Sequence, residues 1–322
     1  MRHIDKSSFL DVLESTRRPF HKNYYAMYSS HLGGITTDPV LMLVPVDDHV
    51  VHRGDGVFET FKCVNGSIYN LKAHLDRMAK AITSLAYQVP FSQEEMTGIV
   101  IETIRAGGHR DSLVRILVSR GPGGFGVNPY ECPVSELYVT ASRLPPPFME
   151  AHPAGARVVI SAVPIKPAFF AEIKACNYLP NVLMKKEAID AGMDFAAGFD
   201  EKGYLAEGAT ENFGIVTQDR RLLFPKLEHI LRGTTMLRVA ELAEAMVADG
   251  SLQGVGFEAI PRQAVMDASE ILIVGTTPDV TAVIEFGGKV VGNSKPGPVQ
   301  QSLARLLAGD IAGNTAILTP VF

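Results

Sequence analysis

Three consecutive prolines, Pro145-Pro146-Pro147, followed by Pro153 and Gly155, interrupt the chain close to its midpoint. Proline fixes φ and lacks a backbone N–H, so the run fits neither the interior of a helix nor a central strand. It predicts a linker over 144–154, between a first domain at 1–143 and a second at 155–322. A length of 322 residues accommodates two domains of ordinary size. With 46% hydrophobic and 20% charged residues, each has material for its own core.

Both halves mix helix and strand signals. Residues 71–87 place Leu71, Leu75, Met78, Ile82 and Leu85 three or four apart, the spacing of an amphipathic helix. Residues 40–46 and 57–64 read as strands, and Asn65-Gly66 turns the second into 67–71 as a hairpin. Residues 92–106 read as a helix, 113–119 and 137–141 as strands. Beyond the prolines, 157–163 is strand-like, 179–191 helical, and 213–216 with 222–224 a short strand pair. A long helix at 234–246, a buried strand at 270–274 and a closing helix at 298–307 follow. The expected fold class is mixed α and β, without internal repeats.

Charge and cysteine usage exclude several functions. Lys and Arg total 30 against 35 Asp and Glu, so no global positive field gathers nucleic acid or anionic lipid. No apolar stretch approaches the ~18–20 residues needed to cross a bilayer, and residues 1–10 lack the apolar core of a signal peptide. Cys63, Cys132 and Cys176 lie far apart, outside any C-x-x-C pattern, which argues against a disulfide framework or a zinc site. A cytoplasmic protein with reduced thiols and no metal is expected.

Gly121-Pro-Gly-Gly-Phe-Gly126 satisfies G-x-G-x-x-G, yet Val127-Asn128-Pro129 follows where a dinucleotide fingerprint must open a helix. A tight surface loop is the better reading. G-x-x-x-x-G-K-[ST], H-E-x-x-H and G-x-S-x-G are absent. More informative is a series of single residues, each with two readings. Lys174, among small and apolar neighbours, is either a solvated surface group or a desolvated amine available for a Schiff base. Glu207, followed by Gly208, is either an exposed turn acid or a carboxylate that keeps a pyridine nitrogen protonated. Leu231-Arg-Gly-Thr-Thr-Met236 and Gly275-Thr-Thr-Pro278 are an ordinary cap and turn, or together a cradle for a dianionic phosphate. Arg77, beside His74, is either solvated or the cation for that phosphate.

These residues, in this order and spacing, resemble the class IV (fold-type IV) pyridoxal-phosphate enzymes, which comprise branched-chain and D-amino-acid transaminases and aminodeoxychorismate lyase. The likeness is greatest to the plant-type D-amino-acid transaminase and lyase group. It spans almost the whole chain: Gly33-Gly-Ile-Thr-Thr-Asp-Pro39, His52-Arg-Gly-Asp-Gly-Val-Phe-Glu-Thr60, His74-Leu-Asp-Arg77, Gly121-Pro-Gly-Gly-Phe125, Lys174 with Asn177-Tyr178-Leu179, Glu207-Gly208 with Asn212, Gly233-Thr-Thr235, and Lys295-Pro-Gly-Pro298.

The resemblance implies a two-domain fold-type IV enzyme, like the D-amino-acid aminotransferases, that is a homodimer and uses pyridoxal 5'-phosphate. Lys174 would form the Schiff base and move the proton between substrate Cα and C4′ of the cofactor. Glu207 would face the pyridinium nitrogen, and Tyr178 would approach the 3′-oxygen. Leu231 would pack on the ring, and Arg77, Thr234, Thr235 and Thr276 would bind the phosphate. Phe58, Thr60, Arg115 and Thr277 would line the substrate pocket. Three positions depart from the family signature: Gly214 replaces an aromatic, Phe224 a threonine and Met236 a basic residue. These touch packing and phosphate support rather than the lysine or the glutamate.

The implied reaction is transfer of the amino group of a small amino acid, D-configured, to a 2-oxo acid. One alternative is a 4-amino-4-deoxychorismate lyase releasing pyruvate and 4-aminobenzoate, which Thr60 favours. Phe125 opposes it, standing where some lyases carry an arginine. A branched-chain L-amino-acid aminotransferase is another, and a non-catalytic cofactor-binding protein a third, against which the retained Lys174 and Glu207 argue.

Overall fold

The computed structural model describes Met1 and residues 3–322. They divide into one unit of Met1–Leu144 with Thr315–Phe322 and a second of Pro145–Asn314. The first unit begins with α1 (Phe9–Ser15), the hairpin strands β1 (Tyr24–Ser29) and β2 (Gly34–Thr36), and α2 (His49–Arg53). Next come β3 (Gly56–Val64), β4 (Ser67–Tyr69), α3 (Leu71–Ser84), α4 (Gln93–Gly107), β5 (Ser112–Ser119) and β6 (Glu136–Ser142). The sheet is antiparallel, in the order Leu318–Pro320, β4, β3, β5, β6, β1, β2.

Register explains which sheet face is covered. Phe61, Val114, Ala141 and Ala26 pair in one row across β3, β5, β6 and β1, and none is more than 1% exposed. Side chains directly opposite share a face, so this row marks the buried one. Buried Leu71, Leu75 and Met78 of α3 and Met96, Val100 and Ile104 of α4 come from the helices that adjoin β3 and β1. The β3–β4 turn carries Asn65 at φ 53° and Gly66 at φ 84°, the positive angles its sequence is suited to.

The second unit contains α5 (Phe148–Ala151), β7 (Ala156–Ile160), α6 (Ala168–Ala171), α7 (Leu179–Asp190), β8 (Phe195–Phe199), β9 (Leu205–Gly208), β10 (Asn212–Val216) and β11 (Arg221–Pro225). It continues with α8 (Thr234–Ala248), β12 (Gly254–Glu258), α9 (Arg262–Met266), β13 (Glu270–Gly275), β14 (Asp279–Phe286), β15 (Lys289–Val290) and α10 (Pro298–Gly313). Six strands close on themselves in the order β10, β13, β14, β7, β8, β9, because Glu207 of β9 pairs back with Asn212 of β10. Alternate residues, among them Ala156, Val158, Ala197, Phe213, Ile215, Ile271, Ile273 and Val283, form one buried cluster.

Three expectations are corrected. Residues 40–46 form no strand: Pro39–Leu41 is a short 3₁₀ helix capped by the Asp38 carboxylate, which accepts from Val40 N–H. The segment 144–154 is not a bare linker, since it holds α5, and the Phe148 ring meets Phe195 edge-on at 5.0 Å against the second unit's core. Residues 315–322 do not stay with the second domain. Leu318–Pro320 adds a strand to β4, and Arg105 Nε donates to Val321 O at 2.7 Å. After Gly121–Gly126 the chain enters a 3₁₀ turn, Pro129–Glu131, and then β6, as a surface loop requires. The cysteines are free thiols.

Candidate active site

The closure of the ring sets the position of the site. Register aligns Glu207, Asn212 and Val274 on neighbouring strands, so the β13–β14 turn with Thr276 and Thr277 lies at the same end as Glu207. Two further segments reach that end. One runs from α6 to α7 and carries Lys174; the other enters α8 and carries Leu231 and Gly233. A cleft is lined jointly by Lys166, Lys174, Tyr178, Asn181, Glu207, Glu211, Asn212 and Leu231.

Lys174 is partly buried, with buried Ala171 and Ile173 preceding it. Its Nζ donates to Tyr178 Oη at 3.1 Å. Tyr178 is the cap residue of α7, and Pro180 in the first turn of that helix supplies the φ a helix start needs. The phenol is therefore held relative to the amine by the helix start. Glu207 Oε2 accepts the Leu231 N–H at 2.9 Å, and Asn212 Nδ2 donates to Leu231 O at 3.0 Å, so both sides of the Leu231 backbone are fixed. Burial pushes the Glu207 carboxyl above its ordinary range; the Leu231 bond and the charges of Lys166 and Lys174 oppose that, and Glu211 adds to it.

At the start of α8 the cap residue is Gly233, which has no side chain to bond the first N–H groups, and Thr234 and Thr235 occupy the first turn. A Cβ on Gly233 would collide with the Asn212 amide, so only glycine lets this strand-to-helix entry approach β10. Such a helix start presents N–H donors and a positive dipole end to an anion. The cleft thus brings Lys174, Tyr178, Glu207 and Leu231 together, and Thr234 and Thr235 lie three and four residues beyond Leu231.

The remaining expected residues belong to the first unit. There Phe58, Thr60 and Arg115 share the sheet face opposite the helices: Thr60 pairs with Arg115, whose guanidinium carbon stands 6.0 Å from the Phe58 ring centroid. Arg77 is not a solvated surface group. Its Nε and Nη2 both donate to the Glu59 carboxylate, at 2.7 and 2.6 Å, and Glu59 also meets His74 Nδ1 at 2.7 Å.

Three cleft residues, Lys166, Asn181 and Glu211, are not singled out by the sequence. Lys166 stands with its Nζ 4.7 Å from the Tyr178 ring centroid, and burial lowers its pKa. Asn181, 7% exposed, donates through Nδ2 to Ala209 O while its Oδ1 is buried without a partner. An isolated lysine before a proline and an asparagine in the first turn of a helix carry no local signal of such a role.

The family model for amino-transferase class IV matches residues 56–286. A chloroplastic D-amino-acid transaminase of Arabidopsis thaliana is 36% identical over 90% of this chain and 77% of its own. A putative branched-chain-amino-acid aminotransferase of Methanocaldococcus jannaschii is 32% identical over 85% and 93%. Among solved structures, a branched-chain amino acid aminotransferase of T.th., complexed with N-(5'-phosphopyridoxyl)-L-glutamate, superposes with a TM-score of 0.84 at 27% identity, over 93% of this chain and 99% of its own. The chain belongs to the class IV aminotransferases, enzymes of fold type IV that use pyridoxal 5'-phosphate.

The cleft fits that cofactor on its own chemistry. It offers an amine for an aldehyde, a carboxylate for a ring nitrogen and, in Asn181 Oδ1, a buried acceptor that the protein leaves unused, and the start of α8 at Thr234, three residues beyond Leu231, is a helix end suited to a phosphate. Among the described residues no helix is long and apolar enough to cross a membrane.

Proposed function

We propose that the enzyme transfers the amino group of a small D-amino acid to a 2-oxo acid, with Lys174 as the covalent cofactor ligand and proton carrier. The observation that carries this reading is an amine held by a phenol at 3.1 Å, in one cleft with a carboxylate. When bound, pyridoxal 5'-phosphate supplies an aldehyde that takes up amines and a ring that accepts electron density from the substrate Cα. Lys174 Nζ removes the Cα proton and delivers it to C4′, and Tyr178 Oη holds Nζ for both transfers. Glu207, fixed by Leu231 N–H, holds the proton of the ring nitrogen. Leu231 covers a ring face. Thr234, Thr235 and Thr276 hold the phosphate, and Arg77, its guanidinium oriented by Glu59, supplies a cation.

Phe58, Thr60, Arg115 and Thr277 contact the substrate, with Arg115 the cation for a carboxylate. The 36% identity to a D-amino-acid transaminase supports the D-configuration. Absorbance of the cofactor-loaded enzyme before and after D-alanine, with L-alanine as control, tests it: the D-isomer alone is expected to convert the cofactor to its pyridoxamine form. Conversion by L-leucine alone would move the assignment to branched-chain substrates. If neither amino acid acts and aminodeoxychorismate yields pyruvate and 4-aminobenzoate, the lyase replaces it.

A homodimer is part of the same proposal. Leu179, Val182 and Leu183 form an exposed apolar stripe on α7, with exposed Phe169 and Phe170 on α6. Sedimentation is expected to give twice the chain mass. The three free thiols support placement in a reducing compartment such as the cytoplasm.

A further inference from the structure

We propose that Lys166 is the counter-charge of Glu207, a positioning residue that acts through this carboxylate to keep the proton on the ring nitrogen of the cofactor. The inference rests on the reading that Glu207 faces that nitrogen. Packing brings the two residues together. Ile165, which precedes Lys166, lies over Gly198 of β8, where a Cβ would come within 2.6 Å of Ile165 Cγ2 and 3.2 Å of the Glu207 carbonyl oxygen. The bare glycine thus lets the β7–α6 segment settle beside the backbone of Glu207. Lys166 then projects into the cleft, with Nζ 4.7 Å from the centroid of the Tyr178 ring.

The charges around Glu207 decide why this matters. Lys166 comes from the β7–α6 segment, Lys174 from the α6–α7 segment, Glu211 from the β9–β10 turn, and the Leu231 N–H from the approach to α8. Glu211 is bonded to Thr210 N–H and Oγ1 and repels Glu207. With Lys174 committed to holding the cofactor, Lys166 would be the cleft lysine whose ammonium stays free of that linkage. Burial favours a neutral Glu207, which would take the proton from the ring nitrogen and leave the ring a weaker electron acceptor. An ammonium in the same cleft as the carboxylate favours the opposite distribution, carboxylate and pyridinium. Lys166 itself is partly desolvated, which lowers its pKa, while Glu207 raises it, so each member of the pair supports the charge of the other.

The test is the ¹⁵N resonance of ring-labelled pyridoxal 5'-phosphate bound to wild type, Lys166→Met, Lys166→Gln, Lys166→Arg and Glu207→Gln at one neutral pH. Wild type and Lys166→Arg are expected at the pyridinium position. Lys166→Met and Lys166→Gln are expected to shift most of the way to the neutral pyridine position; the pair keeps the test standing if one fails to fold. A merely structural lysine would leave the resonance in place. A pyridinium signal in Lys166→Met or Lys166→Gln, with its loss in Glu207→Gln, overturns the role of Lys166 and leaves that of Glu207 intact. A pyridinium signal in Glu207→Gln overturns the reading of Glu207 and, with it, this proposal.

Discussion

Glu59 and Glu207 are internal carboxylates, one in each unit, and they are held in opposite ways. Glu59 is fully enclosed and receives a two-pronged Arg77 guanidinium and the His74 ring. Burial alone would push its carboxyl up, but the charge of Arg77 and the bonds from His74 and Arg77 outweigh this and hold it at about 2. Glu207 receives one backbone N–H and two lysine charges at longer range, and burial wins, so its carboxyl stays raised. A carboxylate with its oxygens saturated by the protein has completed its bonding on folding. One left short of partners keeps bonding capacity for a ligand, at a cost in stability while the ligand is away.

The largest effect that separates them is expected from Glu59→Gln. It leaves the buried Arg77 guanidinium without its anion, a change that costs about 3–5 kcal/mol, read from denaturant unfolding at pH 7. Because the folded-state pKa of Glu59 is depressed, its contribution is complete above pH ~4.5 and is lost as pH falls toward about 2. The gap between wild type and Glu59→Gln should close over that window. An equal gap at pH 3 and pH 7 would mean the pair contributes packing rather than charge.

Glu207→Gln should behave in the reverse sense in the cofactor-free protein. A raised carboxyl costs nothing below its ordinary value of 4.5 and progressively more as pH rises through the folded-state value. The variant is therefore expected to be more stable than wild type at pH 7 and equal to it near pH 3. Urea unfolding at the two pH values checks this. A Glu207→Gln protein less stable at pH 7 would make the Leu231 N–H bond, rather than burial, the larger influence.

The difference between these carboxylates was only partly readable from the chain. The 3–4 spacing in 71–87, the Asn65-Gly66 turn and the apolar run at 270–274 are local signals, and α3, the β3–β4 hairpin and β13 follow from them. Lys174 and Glu207 were reached through their order among other motif residues, which survives without knowledge of the packing. Arg77 shows the limit of that method. Its position suggested a phosphate cation or a surface charge, yet its immediate partner is Glu59, eighteen residues earlier and opposite α3 on the sheet. Lys166 depends on Gly198, thirty-two residues later, and the ring closure depends on a single pair between β9 and β10. No window along the sequence contains both halves of such contacts. The strand 40–46 failed for the opposite reason: its apolar run was real, but Asp38 and Pro39 start a turn that the hydrophobic pattern does not register.

Gly233→Ala sharpens the comparison from the ligand side. The new methyl meets the Asn212 amide, which also holds Leu231 O, so the strain falls on the backbone that donates to Glu207. Overpacking of this kind costs about 1–3 kcal/mol, and part of the clash can be relieved by rotation of the Asn212 side chain. Relief by that route releases Leu231 and weakens its bond to Glu207. Cofactor affinity should then fall together with stability, whereas Glu59→Gln should lower stability with a smaller change in the ¹⁵N position of the bound ring. Measured side by side, an affinity loss in Gly233→Ala without a matching shift of the ring nitrogen would place the damage at the phosphate end of the site. A shift of the ring nitrogen would place it at Glu207, where the Leu231 N–H is the backbone donor holding the carboxylate in position.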